Sequence, residues 1–194
     1  MVECCLKAAD THHSNGYGKE PPMFSMPIVD LLAQGRKLAE SGKRVTVLWQ
    51  HPDTLVFLAR GREYRSEFHI NPSDETMQMI KGEMRLHYRT PEGKEAVAVI
   101  PEGSMIYTPA CTPHSPRFSP DAFALISERK RRDGEVDRFH WYCETCDTLL
   151  HEETFVVRDY ADDPVSKAYK RFFDREEFRT CKKCGDVMPA PDAL

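Results

Sequence analysis

The sequence lacks the features that mark membrane, secreted and nucleic-acid-binding proteins. No apolar run in its 194 residues approaches the roughly 18 residues that a membrane-spanning helix requires. The N-terminal stretch MVECCLKAADTHH has no apolar core of the kind found in secretory signals. Positive charge is not in excess, because 31 Asp and Glu outnumber 27 Lys and Arg and the net charge is −4. We therefore expect a cytoplasmic globular protein with no membrane partner and no nucleic-acid partner.

Long helical patterns and internal repeats are also absent. One helical pattern begins near Pro27 and ends near Gly42. From about residue 44 to residue 130, short apolar segments alternate with turn sequences such as NPSD and TPEGK. The predicted strands are Val45–Gln50, Leu55–Ala59, Tyr64–Ile70, Thr76–Ile80, Glu83–Tyr88, Ala96–Ile100, Ser104–Thr108 and Ala122–Glu128. Many short strands at this spacing are typical of a sandwich or barrel, not of alternating β–α units.

Changes in composition divide the chain into three predicted segments. Residues 1–22 are polar and without periodicity, which favours a flexible leader. Residues 23–138 contain the helix and the predicted strands, so they form the main domain. Residues 139–194 form a smaller C-terminal extension, in which we expect a hairpin through Leu149–Val157 and a helix over Val165–Phe173.

Cysteine is the residue type with the most specific spacing. A disulfide framework is not expected, because there are seven cysteines and no secretory signal. Four of them form two CxxC pairs in the extension, at Cys143, Cys146, Cys181 and Cys184. Two such pairs indicate a tetrahedral site for iron or zinc, which we interpret as structural; four free thiols are the alternative. Cys4 and Cys5 are expected to be tail thiols, and Cys111 a small packing residue.

Two stretches of the β-rich region have the spacing of metal-binding motifs. The first, residues 61–82, holds His69 and Glu75 between two glycines, and the second, residues 103–114, ends on His114. They resemble the two motifs of the cupin family. The resemblance implies an all-β cupin, a double-stranded β-helix or jelly-roll barrel, with an N-terminal helix and a small metal-pinned C-terminal extension.

The chemistry of these residue types explains why the motifs matter. Two imidazoles and one carboxylate on one face of a metal leave the opposite positions open for substrate and O₂, which suits Fe(II). Two positions depart from the cupin pattern, since Glu67 replaces the first histidine and Cys111 replaces a glycine. The remaining histidines of the β-rich and C-terminal regions are interpreted as ordinary surface or core residues, namely His51, His87, His140 and His151.

Further motifs narrow the resemblance. RxxxHxxPxxE from Arg65 to Glu75, PHSP followed by Arg117, and ERKR from Glu128 followed by WYCxxC resemble the 3-hydroxyanthranilate dioxygenase family. The resemblance implies that the catalytic Fe(II) is held by His69, Glu75 and His114. It implies that Arg65 lies beside the bound oxygen, that Arg117 and Glu128 meet the substrate's carboxylate and amine edge, and that Glu128 accepts a proton. It also implies a small aromatic substrate, O₂ and a homodimer.

The expected function is extradiol-type ring cleavage of an ortho-aminophenol carboxylate to an aminocarboxymuconate semialdehyde. The substrate is 4-amino-3-hydroxybenzoate or 3-hydroxyanthranilate, because pocket positions depart from the family: RGREY replaces GGPN, and Thr76 and Met77 replace aromatic residues. The loop after PHSP is one residue shorter, so either Arg117 or Phe118 takes the family's arginine position. The alternatives are a metal-binding cupin without oxygen chemistry, for small-molecule binding or isomerisation, and a zinc-ribbon interaction module.

Overall fold

A computed structural model describes residues 26–62, 64–160 and 164–191, so the predicted leader lies outside the described residues. Strands and helices follow each other in the order α1 (Leu31–Glu40), β1 (Val45–His51), β2 (Thr54–Arg60), β3 (Phe68–Ile70), β4 (Glu75–Lys81), β5 (Met84–Arg89), β6 (Glu95–Ile100), β7 (Met105–Thr108), β8 (His114–Phe118), β9 (Phe123–Glu128), β10 (Asp137–Tyr142), β11 (Leu149–Phe155), α2 (Pro164–Phe173) and α3 (Glu176–Arg179). Within the described ranges, no helix is long and apolar enough to cross a membrane.

The strands form two antiparallel sheets with an apolar core between them. The five-stranded sheet has the order β1-β2-β9-β4-β7, and the six-stranded sheet has the order β11-β10-β3-β8-β5-β6. Alternate side chains of both sheets point inward and pack as Met77, Met79, Met84, Leu86, Ile100, Ala122, Ala124 and Ile126. This arrangement confirms the predicted all-β cupin fold.

Two strands were not predicted, and each has a physical reason. β8 contains Pro116, which has no backbone N–H to donate and therefore argues against a strand in the sequence. β10 begins at Asp137, the last residue of the polar sequence RRDGEVD, and this sequence has no strand pattern. β10 pairs with both β3 and β11, so the predicted boundary between residues 138 and 139 falls inside a strand of the barrel.

Helix α1 covers the outer face of the five-stranded sheet. The Asp30 side chain accepts a hydrogen bond from the Ala33 N–H and so caps the first turn. Leu38 packs on Leu58 and Phe123, which point outward from β2 and β9. Gly35 has to be glycine for this contact, because a Cβ there would lie 2.2 Å from the Phe123 ring. The helix is shorter than the predicted span from Pro27 to Gly42.

Helix α2 attaches the C-terminal segment to β10. Trp141 stacks on Phe172, with ring centroids 4.3 Å apart and planes 12° apart. Other aromatic and apolar side chains complete this cluster, namely Phe139, Ala168, Tyr169, Phe173 and Met188. Burial of several aromatic side chains is worth several kcal/mol, so the C-terminal segment has an apolar core of its own.

Candidate functional site

The structure brings the three predicted metal ligands together between the two sheets. His69 on β3 and His114 on β8 are direct register partners, and their ring centroids lie 5.5 Å apart. Glu75 begins β4 in the facing sheet, and its Oε2 lies 3.1 Å from His114 Nε2. His114 is 2% exposed and Glu75 is 5% exposed. All three line a cavity of about 180 Å³.

Hydrogen bonds fix the orientation of both imidazole rings. His114 Nδ1 donates to the Thr112 carbonyl at 2.8 Å, which fixes the ring with Nε2 facing Glu75. His69 Nε2 donates to Asp137 Oδ2 at 2.7 Å. Burial lowers the pKa of His69 despite the neighbouring Asp137 carboxylate, so the ring is neutral at pH 7, as a metal ligand must be.

The donor chemistry fits a divalent metal. Two neutral imidazoles and one carboxylate are the donor set that non-haem Fe(II) enzymes use. Burial acts to raise the pKa of Glu75, but the neighbouring His114 outweighs it, so the pKa is lowered and the carboxylate is ionised. Because His69 Nε2 is bonded to Asp137, a metal would bind the other ring nitrogen of His69 or replace this hydrogen bond.

A buried ion-pair network adjoins the predicted ligands. Arg131 donates from Nε and Nη2 to Asp137 Oδ1 and Oδ2, at 2.6 and 2.8 Å, and from Nη1 to Glu128 Oε2 at 2.9 Å. Burial acts to raise the pKa of Asp137, but its bonds to Arg131 and His69 outweigh this effect and lower the pKa. All three side chains are nearly inaccessible to solvent. The positive charge of Arg131 is therefore already neutralised within the protein.

Glu128 lies directly opposite Glu75, as the register partner of Glu75 on β9. Burial raises the pKa of Glu128 to about 8, and the negative charge of Glu75 adds to the shift while Arg131 opposes it. The carboxyl group is thus mostly protonated at neutral pH. Asn71 lies between the two acids, because its Nδ2 donates to Glu75 Oε2 at 3.1 Å and to Glu128 Oε2 at 3.0 Å.

Sequence reasoning did not assign a site role to three residues of this network, Asn71, Arg131 and Asp137. Arg131 stood inside the ERKR motif, so the motif offered a signal for it. Asn71 lies in the sequence HINPSD, which is typical of an ordinary turn. Asp137 lies in the polar sequence RRDGEVD, which is typical of a loop. Nothing in their local sequence indicates the long-range partners that give them a place in the site.

Arg65 lines the cavity, and an ion pair with a buried glutamate fixes its side chain. Its Nε lies 3.0 Å from Glu67 Oε1, and Glu67 is completely buried. The hydroxyl of Tyr169 on α2 donates to Glu67, so the C-terminal helix helps to fix this pair. Tyr169 also accepts a hydrogen bond from the Ser66 backbone N–H at 2.8 Å. The C-terminal segment thus supports the cavity wall at Arg65.

Arg117 does not reach the cavity, which corrects the expectation that it meets the substrate. Side chains of β8 alternate, and His114, Pro116 and Phe118 face the cavity. Arg117 is the register partner of Arg85 on β5 and lines an adjoining outer pocket beside the extension, which shares Arg65 with the cavity. The inner-face position after the PHSP sequence is therefore apolar, since Phe118 occupies it.

A larger cavity, of about 700 Å³, lies at the edge where β6 and β7 end the two sheets. Its lining does not include the predicted ligands, so we place the chemistry in the smaller cavity. Cys111 lines the larger cavity, is exposed and has a positive φ of 62°. The expectation that Cys111 is a packing residue is therefore wrong.

Four cysteines form a second cluster, at Cys143, Cys146, Cys181 and Cys184, and their sulfur atoms all lie within 4.8 Å of one another. The Cys143–Cys184 and Cys146–Cys181 sulfur distances are 3.6 and 3.5 Å. A tetrahedral ion with metal–sulfur bonds of about 2.3 Å would set its sulfurs about 3.8 Å apart. In each CxxC turn, a backbone N–H donates back to the first cysteine's carbonyl. The cluster thus fits a tetrahedral metal.

Comparisons with known proteins find relatives that are similar over most of this chain. The profile of a family described as 3-hydroxyanthranilic acid dioxygenase matches residues 36–173. A 3-hydroxyanthranilate 3,4-dioxygenase from Bacillus cereus is 33% identical over 165 residues, which cover 85% of this chain and 92% of the relative. Enzymes of the same name from Shewanella woodyi and Neurospora crassa are each 34% identical, over 75% and 73% of this chain and over 76% and 79% of their own length.

Proposed function

The chain belongs to the 3-hydroxyanthranilic acid dioxygenase family, and from this premise we propose that it opens the ring of an ortho-aminophenol carboxylate with Fe(II) and O₂. The observation that carries the proposal is the convergence of His69, Glu75 and His114 on one buried cavity. In the reaction one ring carbon–carbon bond breaks and both atoms of O₂ enter the product, an aminocarboxymuconate semialdehyde. The alternative of a binding or isomerising cupin is not favoured, because the family is one of dioxygenases.

The three converging side chains are the residues that would hold the metal. When bound, Fe(II) would supply neighbouring open positions for the substrate's hydroxyl and amine groups and for O₂. The second metal, iron or zinc, would be held by the four cysteines. A homodimer, a cytoplasmic location and the division at residue 138 remain predictions.

Glu128 is proposed to exchange a proton with the substrate's amine or hydroxyl group. It lies opposite Glu75 and is held on one oxygen by Arg131 and Asn71. A pKa near 8 places the group close to the operating pH, where proton transfer in either direction is efficient. Because the group is buried, the proton would be exchanged with the substrate and not with bulk water.

The substrate's carboxylate is proposed to face Arg65. Of the two arginines that line the cavity among the described residues, Arg131 has all three guanidinium nitrogens engaged by Asp137 and Glu128. Arg65 is paired with Glu67 through its Nε, and a guanidinium has further N–H donors that can meet a carboxylate. The cavity lining also contains apolar side chains that would hold the ring, namely Val45, Phe57, Ala59, Met77, Phe118 and Ile126.

The proposal is tested by oxygen uptake with Fe(II)-loaded protein. The substrates are 3-hydroxyanthranilate, 4-amino-3-hydroxybenzoate and 2-aminophenol, each supplied separately to the same preparation. We expect one O₂ consumed per ring opened, and a preference of about a thousandfold for one carboxylated isomer, because an unpaired buried carboxylate costs several kcal/mol. The relatives' names favour 3-hydroxyanthranilate, whereas Phe118 offers no cation at the inner-face position, which favours an isomer with its carboxylate elsewhere on the ring. No uptake with any of the three would refute the proposed function.

A pair of arginine variants tests the placement of the carboxylate. Arg65→Met is expected to lower kcat/KM for the preferred carboxylated substrate by about 10- to 100-fold more than for 2-aminophenol, which has no carboxylate to lose. Arg117→Met should leave the ratio between the substrates unchanged within about twofold, because Arg117 lies outside the cavity. Steady-state oxygen uptake measures both ratios. If the kcat/KM ratio between the two substrates changes in Arg117→Met and not in Arg65→Met, the carboxylate binds Arg117 and not Arg65.

A further inference from the structure

We infer that Asn71 is a positioning residue, whose amide group holds the Glu75 and Glu128 carboxylates in fixed orientations side by side. The inference rests on the proposed function, because it gives Glu75 to the metal and Glu128 to the substrate. Asn71 is 2% exposed, and its Nδ2 donates to one oxygen of each acid, at 3.1 and 3.0 Å. Both hydrogens of one amide nitrogen are thus used, one for each carboxyl group.

The two acids need such a group, because the fold places them directly against each other. Glu75 and Glu128 are register partners on β4 and β9, and both point into the cavity. Directly opposed side chains on neighbouring strands have Cβ atoms about 5 Å apart, so the two carboxyl groups compete for the same space unless a shared partner fixes their orientations. An amide nitrogen is suited to this position, because it carries two donors and no negative charge.

Asn71 is itself held rigidly, which a positioning residue requires. It follows β3 directly, and its carbonyl accepts a hydrogen bond from the Cys111 N–H at 2.8 Å. The next turn residue is tied to the end of β9, because Arg129 Nη2 donates to the Pro72 carbonyl at 2.8 Å. The backbone that carries the Asn71 side chain is therefore fixed on both sides of the turn.

The hydrogen bond from Asn71 to Glu75 reaches the carboxylate oxygen that lies next to His114, another proposed metal ligand. Oε2 of Glu75 receives the Asn71 bond and is also the atom that lies 3.1 Å from His114 Nε2. Without the amide, the Glu75 carboxylate is free to rotate away from His114. Loss of a residue that orients a metal ligand typically weakens metal binding by 10- to 100-fold.

The experiment compares Asn71→Leu, Asn71→Ala and the control Ser73→Ala in the full-length protein. Leucine fills the space of the amide without donors, whereas alanine leaves room for a water molecule that can donate to both acids. Ser73 is buried in the same turn, and its hydrogen bonds go to Asp74 and Arg129 and not to either acid. The readouts are Fe(II) affinity by chelator competition, the electron paramagnetic resonance spectrum of the nitric oxide adduct, kcat, KM and thermal stability.

We expect Fe(II) binding to weaken by about 10- to 100-fold in Asn71→Leu and by less in Asn71→Ala. The adduct spectrum should change and kcat should fall more than KM rises, while Ser73→Ala keeps the wild-type affinity and spectrum at a comparable loss of stability. Wild-type Fe(II) affinity in Asn71→Leu, or equal losses in Ser73→Ala, would overturn the inference. If Asn71→Leu does not fold, the Fe(II) affinity of Asn71→Ala is compared with that of Ser73→Ala, and equal affinities overturn the inference. A wild-type protein that neither binds Fe(II) in the barrel nor consumes O₂ would instead refute the proposed function.

Discussion

Replacing His114 or His69 by alanine is expected to abolish oxygen uptake and to remove the metal from the barrel while the fold persists. Each imidazole is one of three donors that we assign to the metal, and the metal contributes several kcal/mol of stabilisation to the reacting centre. A loss of about 4 kcal/mol corresponds to about a thousandfold lower rate. Oxygen uptake and metal analysis of the purified variants measure the two effects.

His87→Ala is the matched control for these variants. His87 lies on β5 of the same sheet but faces outward, where it pairs with Glu95 at 2.6 Å. Its removal should change neither the barrel metal nor the rate. The cysteine cluster provides an internal standard, since its metal content should stay constant in all three variants. Near-normal turnover with bound iron in the His69 or His114 variant would show that the ligand assignment is wrong.

Substituting any one of the four clustered cysteines by serine is expected to destabilise the protein strongly without slowing correctly folded molecules. Structural four-cysteine metal sites contribute about 10 kcal/mol or more of apparent binding free energy to folding. The cluster joins the turn after β10, at Cys143, to the turn after α3, at Cys181. We expect a loss of several kcal/mol, seen as a lower unfolding temperature or less soluble protein, and a rate per iron-loaded molecule within about threefold of wild type.

Complete unfolding is not expected from these cysteine variants, because the stacked pair of Trp141 and Phe172 also holds the C-terminal segment. Cys111→Ser is the control, since Cys111 is exposed and outside the cluster. Denaturant unfolding and single-turnover rates on metal-quantified protein separate stability from catalysis. A variant with intact stability and no activity would contradict the structural role of the cluster.

Much of the fold and of the predicted metal ligands followed from the sequence alone. Short apolar segments separated by turn residues specified an all-β barrel, because alternation and turn chemistry are local properties of the chain. The assignment of His69, Glu75 and His114 came from motif spacing and the family resemblance, since each motif is a short stretch of chain that passes from one sheet to the other. The cysteine cluster followed from two CxxC pairs, because two thiolates at that spacing already form half of a tetrahedral site.

Only the tertiary structure decided which side chains enter the cavity and which partners they find there. Adjacent residues on a strand face opposite sides, so the register of β8 alone determined that Phe118 faces the cavity and Arg117 does not. Asn71 and Asp137 have their roles because β3 pairs with β10 and β4 with β9. These contacts join segments 57 and 68 residues apart in the chain. Hydrogen bonds between residues so far apart cannot be read from the local sequence, because they form only when the sheets close around a common core.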